Sequence, residues 1–152
     1  MAASVEQRIR PALPADLPGI ETLLASFDLP TVGVDEQLGG FVVAEDGGAI
    51  VASAGLEVYG RGALLRSVAV RPDYQGRGLA RTLVRHLLER GRADGIERVF
   101  LLTTTAAEFF RRMGFEAIDD FAVDSAVRAS KEFGDCCCVG AQTMKLNLGG
   151  TS

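Results

Sequence analysis

Three residue types that usually spread through a chain are scarce in this one. Lysine occurs only as Lys131 and Lys145, histidine only as His86, and cysteine only as the consecutive triplet Cys136-Cys137-Cys138. Adjacent cysteines cannot staple distant segments, which excludes a disulfide framework and fits a reducing compartment. Long apolar runs are missing too. Stretches such as Val99-Phe100-Leu101-Leu102 stop at four residues, against the roughly 18 to 20 that a membrane helix needs. Met1 to Arg10 carry neither a basic leader nor an apolar segment, so no secretory signal is expected and the cytoplasm is the expected setting. Positive charge is in deficit: 20 acidic residues face 16 basic ones, a formal charge of −4. That argues against a general binder of nucleic acid or anionic membranes.

What is present describes a chain that folds. Hydrophobic residues make up 47% and charged residues 24% of 152 positions, which predicts one domain over 1–152, with its core within about residues 5–148. No repeat or low-complexity linker divides it. Periodicity predicts a strand at Gln7 to Arg10 and a helix from Pro14 to Ser26, then a short helix at Val34 to Leu38. Strands follow at Phe41 to Glu45 and Ala49 to Val58 around an Asp46-Gly47-Gly48 turn, and at Ala63 to Val70. Leu79, Leu83, Val84, Leu87 and Leu88 recur at helical spacing, marking a helix over Gly78 to Ala93. A strand at Arg98 to Thr103 and a helix at Ala106 to Met113, stopped by Gly114, come next. The tail reads as a strand over Phe115 to Ala122, an irregular or helical Asp124 to Phe133, and a last strand near Val139 to Leu146. The fold class is α+β with a mixed sheet. His86 falls among Arg85 and Leu87 and reads as a helix-surface residue, not a catalyst.

The informative stretch runs from Leu64 to Arg81: a strand, a glycine-rich loop, then a helix. Gly76 and Gly78 let backbone N–H groups approach a ligand, and the following helix adds unsatisfied donors and the positive end of its dipole. Arg71, Arg77 and Arg81 concentrate positive charge around this anion cradle, which suits a pyrophosphate. A dinucleotide fingerprint fits only in part, because Arg81 stands where the third glycine belongs. A Walker A loop fails for want of Gly-Lys-Ser or Gly-Lys-Thr. Coenzyme A is the third reading. Gln75-Gly76-Arg77-Gly78-Leu79-Ala80 resembles the phosphate loop of the GNAT superfamily of acetyl-CoA-dependent N-acetyltransferases. Ile9-Arg10-Pro11-Ala12 with Asp16, Val70-Arg71-Pro72, and Phe109 to Phe115 match further segments of that family. The wording of Gly55 to Gly60, Leu64 to Val70 and Leu102 to Ala106 also resembles an arsenic-resistance branch of N-acetyltransferases.

The resemblance implies a GNAT-type acyl-CoA N-acyltransferase fold, a splayed and mostly antiparallel sheet flanked by helices. It implies acetyl transfer from acetyl-CoA to a primary amine of a small molecule, with a homodimer as the family's common assembly. By resemblance, the Val68, Ala69 and Val70 backbone holds pantetheine and polarises the thioester. Gln75, Gly76, Arg77, Gly78, Leu79, Ala80 and Arg81 cradle the phosphates, and Phe110 lies along the cofactor. Backbone N–H groups aimed at a developing oxyanion are a sound means of acyl-transfer catalysis.

Such transfer needs a proton acceptor for the amine and a donor for the thiolate. Glu57 is the candidate base, with a solvated carboxylate at a strand end as the competing reading. Many family members carry a tyrosine as the acid where this chain has Phe110, which leaves Tyr59, Ser67, Thr104 or Thr105, or an unassisted thiolate. Arg66, in mid-strand, either grips a substrate carboxylate or pairs with Glu57 across neighbouring strands. Two rivals remain: a non-catalytic acyl-CoA sensor, suggested by Phe110, and a thiol-based metalloid binder built on Cys136 to Cys138. Small buried hydrophobes are the plainer reading of those cysteines. No metal site is expected.

Overall fold

The structure, a computed structural model, describes residues 8–119, 122–129 and 141–148. Its elements are β1 (Arg8–Pro11), α1 (Leu17–Ala25), β2 (Phe41–Asp46), β3 (Ala49–Tyr59), β4 (Gly62–Val70), α2 (Leu79–Ala93), β5 (Arg98–Thr103), α3 (Ala107–Arg112), β6 (Glu116–Ala117), α4 (Ser125–Arg128) and β7 (Gln142–Asn147). The seven strands follow the order β1-β2-β3-β4-β5-β7-β6. β4 and β5 pair in parallel and α2 is the crossover that parallel neighbours require. The β1–β2, β2–β3, β5–β7 and β6–β7 pairs are antiparallel. The expected α+β class with a mixed sheet is therefore what forms. Among the described residues no helix is long and apolar enough to cross a membrane.

Two expected elements differ. Val34 to Leu38 forms turns followed by a 3-10 turn at Leu38–Gly40, because the stretch is too short to nucleate a helix before two glycines end it. Gly40 is fixed by packing: a Cβ there would run into the Leu56 carbonyl. The strand expected over Phe115 to Ala122 shrinks to Glu116–Ala117. Phe115 belongs to the end of α3 instead, where its N–H and that of Gly114 bond the carbonyls of Phe110 and Arg111. With Gly114 at φ +104°, this is a Schellman closure that turns Phe115 inward.

The chain divides into two compact units. The first, Met1–Leu56 with Ser67–Leu87, packs Ile20, Leu23 and Leu24 of α1 against Val34, Phe41, Val43 and Ala69. Its polar knot is Arg10, whose guanidinium donates to both Asp16 oxygens at 2.7 and 3.0 Å and to Glu45 at 2.6 Å. The Leu13 N–H also donates to Asp16. The second unit, Glu57–Arg66 with Leu88–Ser152, packs Leu64 of β4 and Phe100 of β5 against Val123 and Val127. There Arg98 holds Asp124 through Nε and Nη2 at 3.0 Å, and that carboxylate lies where a Cβ of Gly62 would go. Cys136 to Cys138 and part of the expected Val139 to Leu146 strand lie outside the described residues; what is described of that strand is β7.

The hydrogen bonds from Arg10 hold the Asp16 carboxyl below its ordinary range. Its contribution is complete above the usual aspartate value near 3.9 and is lost as pH falls through the lowered one. Asp16→Asn should cost about 1–3 kcal/mol at neutral pH. Acid titration of stability should then show a shallower decline for the variant than for wild type below about pH 4.

Candidate functional site

Leaving β4, the chain turns through Pro72–Tyr74 and reaches α2 by way of Gln75 to Gly78. Gly76 and Gly78 hold φ of +82° and +77°, conformations that disfavour any residue with a Cβ. Nothing lies within 4 Å of where a Cβ would sit at either one. Backbone geometry, not crowding, fixes the glycines, and the space beside them is open to a ligand. The first bond of α2 runs from the Thr82 N–H to the Gly78 carbonyl at 3.0 Å, and the N–H groups ahead of it have no partner within the helix.

The loop is braced from three sides. The Gln75 amide donates to the Val70 carbonyl at 2.9 Å, so this predicted phosphate ligand also ties the loop to its strand. The Tyr74 hydroxyl donates to Asp46, which pushes the phenol's pKa upward. The guanidinium groups of Arg77 and Arg71 lie 4.9 and 5.5 Å from the Tyr74 ring centre, within cation–π range. Arg77 also reaches the Asp73 carbonyl at 3.4 Å, and Arg71 pairs with the Asp73 carboxylate. Gln75 to Gly78 and Arg81 are exposed, Ala80 is half-buried, and Leu79 turns into the core. Along β4, Val68 is half-buried while Ala69 and Val70 are buried.

Glu57, Tyr59 and Arg66 come together in the second unit. Tyr59 donates to Glu57 Oε1 at 2.6 Å and Arg66 Nη1 donates to Oε2 at 2.8 Å. The side chains of Arg66 and Glu57 are 0% and 2% exposed. This corrects one expectation: Glu57 is no solvated carboxylate but one arm of a buried ion pair across neighbouring strands. Residues 57 and 59 share a strand face by the two-residue period, and β4 brings Arg66 beside them. Phe110 is a core side chain, edge-on to Phe109 and Phe115 with ring centres at 5.0 and 5.7 Å. Thr104 and Thr105 are exposed in a bend beyond β5.

One feature escaped the sequence. Ser67, in the middle of β4, has φ +61°, and its carbonyl accepts a 2.8 Å hydrogen bond from the buried hydroxyl of Ser53. No glycine marks the place, so composition and spacing carry no signal for it. A non-glycine residue held in this region is a strain that clusters at functional sites.

The model of the Acetyltransferase (GNAT) family matches residues 8–115. The chain belongs to that family. Among curated relatives, an amino-acid acetyltransferase of Vibrio vulnificus is 31% identical over 138 residues, which are 85% of this chain and 30% of that protein. Another, from Ralstonia nicotianae, is 33% identical over 95 residues. The chain thus spans less than a third of the length of these relatives. Among solved structures, a Mycobacterium tuberculosis protein in complex with CoA and NLQ is 29% identical, with TM-score 0.78, over 92% of this chain and 98% of that one. N-acetylglutamate synthase from Neisseria gonorrhoeae, complexed with coenzyme A and N-acetyl-glutamate, shares the fold at TM-score 0.81 and 22% identity, over 98% of this chain and 37% of that one.

The buried pair makes a sharp prediction. Arg66→Met leaves Glu57 buried without its cation and should destabilise by about 3–5 kcal/mol. Denaturant unfolding of Glu57→Gln/Arg66→Met should recover most of that loss, since no lone charge then remains inside.

Proposed function

We propose that this chain transfers the acetyl group of acetyl-CoA to the primary amine of a small molecule, and that the amine is the α-amino group of an amino acid or a close analogue. The observation that carries the reading is the open cradle of Gly76 and Gly78 at the start of α2, with Arg77 and Arg81 beside it. It offers what a pyrophosphate needs: backbone donors at close range, a helix dipole and guanidinium groups. The amino-acid acetyltransferases among the relatives support the substrate class.

Acetyl-CoA supplies an activated thioester. The amine nitrogen attacks its carbonyl carbon, the C–N bond forms, the C–S bond breaks, and the thiolate leaves with the electron pair. The β4 backbone at Val68 to Val70 binds the pantetheine amides and stabilises the oxyanion. Glu57 takes the amine's proton, either directly or by way of Tyr59, whose hydroxyl already donates to it. Arg66 keeps Glu57 oriented through Oε2. The thiolate is reprotonated by Tyr59 or by solvent.

Thermal unfolding in parallel with acetyl-CoA, CoA, NADH and ATP tests the cofactor. A ligand at 100 times its dissociation constant stabilises by roughly 2.7 kcal/mol, and only the two CoA species should do so. Gly78→Ala should weaken or abolish this shift, because a Cβ at φ +77° strains the loop out of the conformation that presents its N–H groups; an undiminished shift would mean that the loop is only a turn. A shift with NADH or ATP alone defeats the reading.

Thiol release from acetyl-CoA is then followed with a panel of amino acids, simple amines and an amine-bearing arsenical. Acceleration by amino acids is the expected result. Acceleration by the arsenical alone would favour the arsenic-resistance resemblance, and binding without turnover would favour a sensor. Glu57→Gln should lower kcat by about 10²–10⁴ with acetyl-CoA affinity unchanged.

A further inference from the structure

We infer that Ser53 is a positioning residue for the acetyl transfer, its hydroxyl holding the Ser67 peptide in the turned conformation that sets the direction of the β4 backbone beyond it. This rests on the acetyl-CoA reading above.

The φ of +61° at Ser67 is about half a turn from the strand value near −120°, in the middle of a strand that otherwise runs from Gly62 to Val70. A side chain with a Cβ resists that conformation, so the surroundings must hold it. One such hold is the 2.8 Å bond from Ser53 Oγ to the Ser67 carbonyl, a bond buried at both ends.

Ser53 itself is conspicuous by its neighbours. It sits in β3 between Ala52 and Ala54, all three fully buried, and opposite Val43 of β2. An alanine would fill almost the same space, and a hydroxyl in such a place is costly unless bonded. Packing therefore gives no reason for a serine here, whereas the Ser67 carbonyl does.

The residue immediately after the turned peptide is the one in β4 that is not fully buried. Val68 is half-buried, and every other residue from Gly62 to Val70 is buried. Strain and a buried restraint at Ser67 are thus followed directly by the one partly exposed residue of β4. Regular strand geometry would put the Val68 to Val70 amides on the repeating ladder directions, and a turned peptide at Ser67 resets them. In the proposed reaction those amides are the ones that face the thioester. Ser53 touches neither acetyl-CoA nor amine; it acts through Ser67.

The test is the carbonyl carbon resonance of acetyl-CoA carrying ¹³C in the acetyl carbonyl, bound to the full chain. Wild type should move it downfield of free acetyl-CoA, the signature of a polarised carbonyl. Ser53→Ala should return it at least halfway to the free position and lower kcat tenfold or more, with the KM for acetyl-CoA changed less than threefold. Ser53→Thr keeps the hydroxyl and should restore both. A merely structural serine would alter the melting temperature and leave the resonance in place, and that result overturns the inference. Should Ser53→Ala fail to fold, Ser53→Cys takes its place, because a thiol has nearly the same shape and is only a weak donor; a partial loss of the shift is expected, and a fully retained shift refutes. Titration of wild type with acetyl-CoA comes first: no binding there would overturn the acetyl-CoA reading and this inference with it, whereas binding with an unmoved Ser53→Ala resonance would overturn the inference alone.

Discussion

A chain that leaves a strand and must enter a helix within one loop, while keeping its amide groups pointed outward, has few conformations available, and this constraint at the end of β4 organises the rest. Left-handed backbone at Gly76 and Gly78 makes the reversal. The surrounding side chains keep it from collapsing onto itself: Gln75 ties back to Val70, and Tyr74 reaches across to Asp46. The helix that starts there is long because it must carry the chain to a parallel neighbour, and its buried leucines make it hold. Loop, dipole and crossover are consequences of one connection.

The scarcity of lysine acquires meaning in this setting. Arginine serves where one cation holds several acceptors in fixed directions, Arg10 with Asp16 and Glu45 and Arg98 with Asp124 and Glu97. A flexible ammonium cannot reproduce such forked contacts. These arginines are consumed inside an acidic protein. Arg77 and Arg81 stay exposed at the loop, so two guanidinium groups flank the glycine cradle although the net charge is negative.

Much of this was legible in the sequence where periodicity or a special residue wrote it. The α2 stripe, the β2–β3 turn and the glycine loop were readable because leucine spacing and glycine pairs report local backbone directly. The partnership of Arg66 with Glu57 was foreseen as one of two readings, since a charge in mid-strand demands a partner. Its depth was not, because burial depends on what covers a residue and not on its own neighbours. β6 was overestimated because apolar Phe115 looks like a strand residue, whereas the Gly114 closure recruits it to the end of α3. The turned peptide at Ser67 was invisible: its carbonyl is bonded by Ser53 of β3, a contact between residues well apart in sequence, and serine gives no conformational hint.

Gly62 leads to a different kind of consequence. It begins β4 opposite Arg98, and the Asp124 carboxylate held by that arginine occupies the volume a side chain would take. The two positions are therefore a linked choice in heredity and in design. Gly62→Ala would oblige the Asp124 carboxylate to shift from its place beside Arg98, so a side chain at 62 is gained at the expense of that ion pair. An engineer who shortens or grafts the segment around α4 inherits an obligation at the far end of a different strand.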